Sequence, residues 1–119
     1  MPSSSDRDIR LYLEDMAEFC DRVLEYGGGA NLPALRTDRM RRDAVLRNHA
    51  LIGEAATHVP DELRAAHPGV PWRSIIGTRN RLIHAYLGID DDTIASIVST
   101  DVPGLRNRLA VILASPLTD

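Results

Sequence analysis

Eight consecutive residues, Arg79-Asn80-Arg81-Leu82-Ile83-His84-Ala85-Tyr86, bring together an arginine, an amide, an imidazole and a phenol. These groups suit phosphate chemistry. Arginine presents a planar fork of donors to phosphate oxygens. Histidine moves a proton near neutral pH. Tyrosine donates or accepts a hydrogen bond and can be modified.

Helical geometry limits what one copy of this segment can do. Each residue advances the azimuth by about 100°, so Arg79 and Tyr86 lie about 20° from alignment and Asn80 and His84 are neighbours. His84, however, is about 140° from Arg79 on the same wheel. A straight helix therefore cannot aim Arg79, His84 and Tyr86 at one phosphate. Either the helix is distorted within the motif, or the site is completed across an interface. A two-fold axis beside this helix would join two motifs into one arginine-rich cleft.

The elements that must position the motif read as helices. Ser5 and Asp8 resemble a weak capping box, and Ile9, Leu13, Met16, Cys20 and Val23 recur at helical spacing, predicting a helix from about 6 to 26. Gly27-Gly28-Gly29 ends it and opens a flexible connection reaching Pro33. Thr37 or Asp38 caps a second helix that runs to about Thr57, with Asn48 on its apolar line through Val45, Ile52 and Ala55. Asn48 is expected to be a hydrogen-bonded core amide, and Gly53 to mark a close helix crossing, since mid-helix glycine is otherwise costly.

Pro60-Asp61-Glu62 predicts a short helix ending near His67-Pro68-Gly69, and Pro71-Trp72 starts the motif helix with Trp72 as a packing anchor. Asp90 to Asp92 cap a helix through Val98, and Asp101 with Pro103 opens a last one through Leu105, Leu109 and Leu113. The expectation is one all-α domain over 1–119, an antiparallel bundle of five or six helices.

Composition is compatible with this. The 119 residues suffice for one core. Only 4% of them are aromatic, so the core must be built from Leu, Ile, Val and Ala, which suits packed helices. A single cysteine, no secretory leader and no long apolar run predict a cytoplasmic protein.

All basic residues are arginine, and the net charge of -3 argues against a general nucleic-acid coat. The distribution is uneven. Residues 36–47 carry Arg36, Arg39, Arg41, Arg42 and Arg47 against two aspartates, and Arg73 to His84 holds three arginines and no acid, whereas 6–25 is acidic. One positive cleft on an acidic body is expected.

Other chemistries fare poorly. His49, His58 and His67 form no i, i+4 pair and lie near no cysteine, so no metal site is predicted. Cys20 sits on an apolar stripe where a thiol is inert, and Asp90-Asp91-Asp92 lacks the remaining ligands of a calcium loop.

The motif resembles that of the HEPN ribonuclease superfamily in its HepT-like form: arginine, a short spacer, histidine, any residue, tyrosine. Leu46-Arg47-Asn48, Ile52-Gly53-Glu54-Ala55-Ala56, Pro71-Trp72, Ile76-Gly77 and Asp101-Val102-Pro103-x-Leu105 follow the same family in order. Thr78 departs from the usual hydrophobic residue, and Ile94-Ala95 stands where tryptophan is common.

The resemblance implies a HEPN-like helical homodimer acting as a metal-independent RNA endonuclease without a cofactor. It further implies the toxin of a type VII-like toxin-antitoxin pair, cutting RNA (tRNA or mRNA) rather than DNA and not acting at a membrane. Arg79, His84 and Tyr86 would carry catalysis, with Asn80 in support. The antitoxin would be a minimal nucleotidyltransferase that transfers AMP to Tyr86. The competing expectation is a noncatalytic nucleotide- or protein-binding module of the same fold.

Overall fold

A computed structural model describes residues 6–28, 32–84 and 88–116. It consists of helices α1 (Asp6–Gly27), α2 (Leu32–Thr37), α3 (Arg39–Thr57), α4 (Asp61–Ala66), α5 (Trp72–His84) and α6 (Asp91–Ser96), then a π-helical turn (Ile97–Asp101) and α7 (Val102–Leu113). The last three run on as one helical rod, giving the all-α bundle expected from the sequence.

α1 buries the predicted stripe, with Leu13, Met16, Cys20 and Val23 fully enclosed. α3 is the central rod, packed against α1 on one side and α5 on the other, and α7 closes over α1. Polar contacts fix the directions. Arg10 donates to the Leu113 carbonyl at 2.6 Å, while Asp21, about three turns further along α1, pairs with Arg106 at 2.7 Å. α1 and α7 are therefore antiparallel. α1 and α3 are antiparallel as well: the Tyr12 ring stacks on His58 near the end of α3, and Gly27 lies against Val45 near its start.

Asp38 caps α3 by accepting from the Arg41 N–H at 3.0 Å, and Asp90 caps α6 by accepting from Thr93 N–H at 2.7 Å. Trp72 is buried and donates its indole N–H to the His67 carbonyl at 3.1 Å, as suits an anchor for the loop before α5. Cys20 is enclosed, and burial pushes its thiol up to about 12. It is inert at neutral pH.

Two expectations about the helices need correction. The connection after α1 does not stay irregular to Pro33: α2 forms from Leu32, taking Pro33 into its first turn, where a missing N–H costs nothing. Asp101 does not cap a new helix, because it has helical backbone angles and no capping bond. Pro103 has no N–H to donate, and its ring would crowd the preceding turn. The chain answers by widening one turn, with the Val102 N–H reaching back to the Ile97 carbonyl, and the rod continues. Asn48 is the buried, hydrogen-bonded amide expected from the sequence: Nδ2 donates to the Ala44 carbonyl at 2.8 Å, while Oδ1 is buried without a partner among the described residues.

The basic cluster at the start of α3 is also not an open cleft. Arg36 and Arg42 both grip Asp91, at 2.7 and 2.6 Å, and Arg42 donates to the Ile89 carbonyl at 2.9 Å. These bonds hold the Asp91 carboxyl below its ordinary range. They fasten the start of α6 to α2 and α3, and so fix the far end of the connection that follows the motif helix. Among the described residues, no helix is long and apolar enough to cross a membrane.

Candidate active site

α5 carries the motif because its inner face is apolar. Trp72, Ile75 and Leu82 are buried, which turns the remaining azimuths toward the flanks and solvent. Arg79 falls on the flank facing α3. Its stem crosses α3 at Gly53, where an added Cβ would run into the Arg79 Cβ and lie 3.1 Å from the Ile75 carbonyl. Gly53 is thus the close crossing that the sequence predicted.

This crossing delivers the guanidinium to Glu54, whose Oε2 accepts from Arg79 Nη2 at 2.6 Å. Nη1 donates to Asn80 Oδ1 at 2.8 Å. Two donors are therefore engaged, and among the described residues the rest of the fork has no partner. The Arg79 side chain is 29% exposed, so an anion can still reach it.

Glu54 is the carboxylate partner of the motif arginine, to which sequence reasoning gave no role. Its other oxygen lies 3.8 Å from His58 Nε2, and the His58 ring stacks on Tyr12 with centroids 4.7 Å apart. A chain of contacts thus runs from α1 through α3 to the motif arginine. The available signal was a carboxylate beside the crossing glycine. The pairing partner, 25 residues away in sequence, was invisible without the fold.

His84 ends the described part of α5 and is exposed. α5 is regular α-helix from Trp72 to His84, so no distortion brings His84 around to Arg79. The structure unites Arg79, Asn80 and Glu54 and leaves His84 on another face. Asn80 gives its amide oxygen to Arg79, and among the described residues no Asn80–His84 hydrogen bond is present. Tyr86, the expected catalytic and modified residue, lies outside the described residues.

His49 is the other buried polar side chain of α3, 5% exposed, with Nδ1 unpartnered among the described residues. Burial lowers its pKa to about 4, against a smaller opposing pull from Asp101. It sits under the π-helical turn, where it borders a cavity with Ser74, Thr78 and Asp101. Among the described residues no group of three or more His, Cys, Asp or Glu is placed to hold a metal ion.

Comparison with known proteins places the chain in a family. The family described as "Ribonuclease HepT-like" matches residues 14–112. A Methanocaldococcus jannaschii protein provisionally named an RNase is 34% identical over 108 residues, covering 91% of this chain and 99% of its own length. A Thermococcus cleftensis protein named a probable ribonuclease HepT is 34% identical over 102 residues, 86% of this chain and 93% of that one. A relative from Caldanaerobacter subterraneus, also provisionally named an RNase, is 33% identical across 87% of this chain and 93% of its own. No solved structure matches. With a family match that spans the described rods from α1 to α7 and relatives aligned along nearly their full lengths, the chain belongs to the HepT-like ribonuclease family.

Proposed function

We propose that this single-domain, cytoplasmic protein is an RNA endonuclease whose site is completed by a second copy of the chain. One observation carries the reading: α5 is straight from Trp72 to His84, so the arginine held by Glu54 and the exposed imidazole face different ways. A two-fold axis beside Ile83 solves this. Ile83 is 55% exposed at the motif end of α5, between the azimuths of Arg79 and His84, and a pair of such residues packed on each other brings the partner's Arg79 toward His84.

In the composite cleft, His84 removes the proton from an RNA 2′-hydroxyl. The freed oxygen attacks the adjacent phosphorus, the bond from phosphorus to the 5′-oxygen breaks, and the leaving oxygen takes a proton from the partner's His84. The products are a 2′,3′-cyclic phosphate and a 5′-hydroxyl. Arg79 neutralises the charge that grows on the phosphorane, and Asn80 steadies the guanidinium. None of these steps calls on a metal ion. Purified protein should therefore cut RNA in excess chelator and leave cyclic phosphate ends. Cleavage abolished by chelator and restored by magnesium, or sedimentation of the active species as a monomer, would overturn this reading.

The same reading extends to control. A nucleotidyltransferase partner adding AMP to Tyr86, two residues beyond His84, would place phosphates beside an anion site and silence it. Mass spectrometry of protein co-expressed with such a partner should find AMP on Tyr86 and none on Tyr86→Phe. An unmodified Tyr86 in a silent complex would leave simple blocking by the partner as the mode of control.

A further inference from the structure

The face of α5 that carries His84 is not a bare helix surface. Residues 73, 77, 80 and 84 fall within about 60° of azimuth on an ideal helix, so Arg73, Gly77, Asn80 and His84 form one line. A cavity of about 920 Å³ runs beside that line, between α5 and the loop after α4, with Pro68, Val70, Arg73, Ile76, Gly77 and Asn80 along it. Its two ends differ in kind. One leads past Asn80 toward His84. The other holds Arg73, which is exposed and, unlike Arg79, is gripped by no carboxylate among the described residues.

Arg64 also borders the cavity, but two of its donors are turned to the Val59 and Ala56 carbonyls at 2.9 Å each, sealing the end of α3. Arg73, with no hydrogen bond or ion pair among the described residues, is the cation along this groove with its whole fork open to an anion. Gly77 keeps the middle of the groove open, since a Cβ there would meet nothing within 4 Å.

We propose that this groove binds the single-stranded RNA flanking the scissile phosphate, with Arg73 taking a backbone phosphate and the apolar wall of Pro68 and Ile76 receiving a base. The inference rests on the ribonuclease reading above and names where its substrate lies. Arg73 and His84 are eleven residues apart, about 16 Å along the axis. The phosphate at Arg73 is therefore a different one from the phosphate at His84, further along the strand. A concave site with an apolar wall suits unstacked bases, whereas duplex RNA is read by shape across its minor groove.

The test measures binding of a fluorescent oligoribonucleotide made uncleavable by 2′-O-methylation, alongside cleavage of the unmodified strand. Arg73→Glu should weaken binding about tenfold, and Arg73→Gln should lower the salt dependence by about one counterion. Gly77→Leu is the sharper variant. Leucine is the better helix former and meets no atom at its Cβ, so the fold should hold while the groove is filled, again with about a tenfold loss. Thermal melts confirm the fold of each variant.

Wild-type affinity in both Arg73→Glu and Gly77→Leu overturns the groove, and His84-dependent cleavage by the same preparations leaves the ribonuclease reading intact. Groove-dependent binding without any cleavage by the wild type keeps the groove and sinks the catalytic reading. Loss of self-association in these variants overturns the proposal by assigning the groove to a second copy. No RNA binding by the wild type rejects both.

Discussion

Two arginine clusters in this chain have opposite fates. At the start of α3, Arg36 and Arg42 close on Asp91 and serve as a fastener. On α5, Arg79 is held by one carboxylate and one amide with part of its fork open, and Arg73 has no carboxylate partner among the described residues. By sequence the first cluster is the denser. Charge density along a chain does not locate an anion site; what counts is which acids the fold brings to each guanidinium.

The comparison breaks most sharply at the motif. His84→Ala and Arg79→Ala should each lower RNA cleavage by about 100-fold to 10,000-fold, the usual range for a positioned proton-transfer group and comparable to the loss of a charge-stabilising donor. Circular dichroism and sedimentation should match the wild type, because neither side chain fills the core. If Arg79→Lys stays fully active while Arg79→Ala unfolds, the α5 arginine is as structural as Arg42 and the contrast disappears.

Gly53→Ala tests what sets Arg79 in place. An added methyl would force α3 and α5 apart at their closest crossing, at a cost of about 1–3 kcal/mol. Urea unfolding should show that loss, and cleavage should fall further than the lost stability explains. Unchanged stability would mean that the helices are not held at that crossing.

His49 supplies a stability effect unrelated to either cluster. Its folded pKa, about 4, lies below its ordinary value of 6.5. Between these values the unfolded chain takes up a proton that the folded chain refuses. The stability conferred by the neutral buried imidazole is full above about pH 6.5 and is lost as pH falls toward 4. The loss should be about 3 kcal/mol at most. Denaturation across that range should show the decline, and His49→Gln should flatten it; a wild-type profile flat from pH 7 to 4 would mean that the imidazole is solvated.

The smallest expected effect is at Glu54. Glu54→Gln keeps an oxygen for Arg79 and removes the charge, so cleavage should change by only several-fold, in kcat more than in KM, whereas Glu54→Ala should cost more. Equal effects of the two variants would mean that the carboxylate acts through charge alone rather than by positioning. Releasing the other cluster gives the converse: Asp91→Ala should free Arg36 and leave Arg42 only its bond to the Ile89 carbonyl, lower the melting temperature and strengthen salt-sensitive RNA binding.

Much of the fold was legible because its signals are local. The α1 stripe, the Asp38 and Asp90 caps and the Gly53 crossing depend on spacing and on residue types that suit one backbone geometry, and each stands where the sequence placed it. The turn at Pro103 was misread. Proline says only that an ordinary helical bond is missing, and whether the chain breaks or widens into a π-helical turn depends on the packing that continues on both sides.

The sequence by itself determined the helices, the buried faces and the residue types at the motif, because helical periodicity and side-chain chemistry are properties of neighbours in the chain. It also determined that Arg79 and His84 cannot share a face of one straight helix. Tertiary structure decided which guanidinium is tied down and which remains open. Glu54 reaches Arg79, and Asp91 reaches Arg36 and Arg42, across gaps of 25 to 55 residues. An ion pair needs a few ångströms between charges, a distance that packing sets and sequence separation does not.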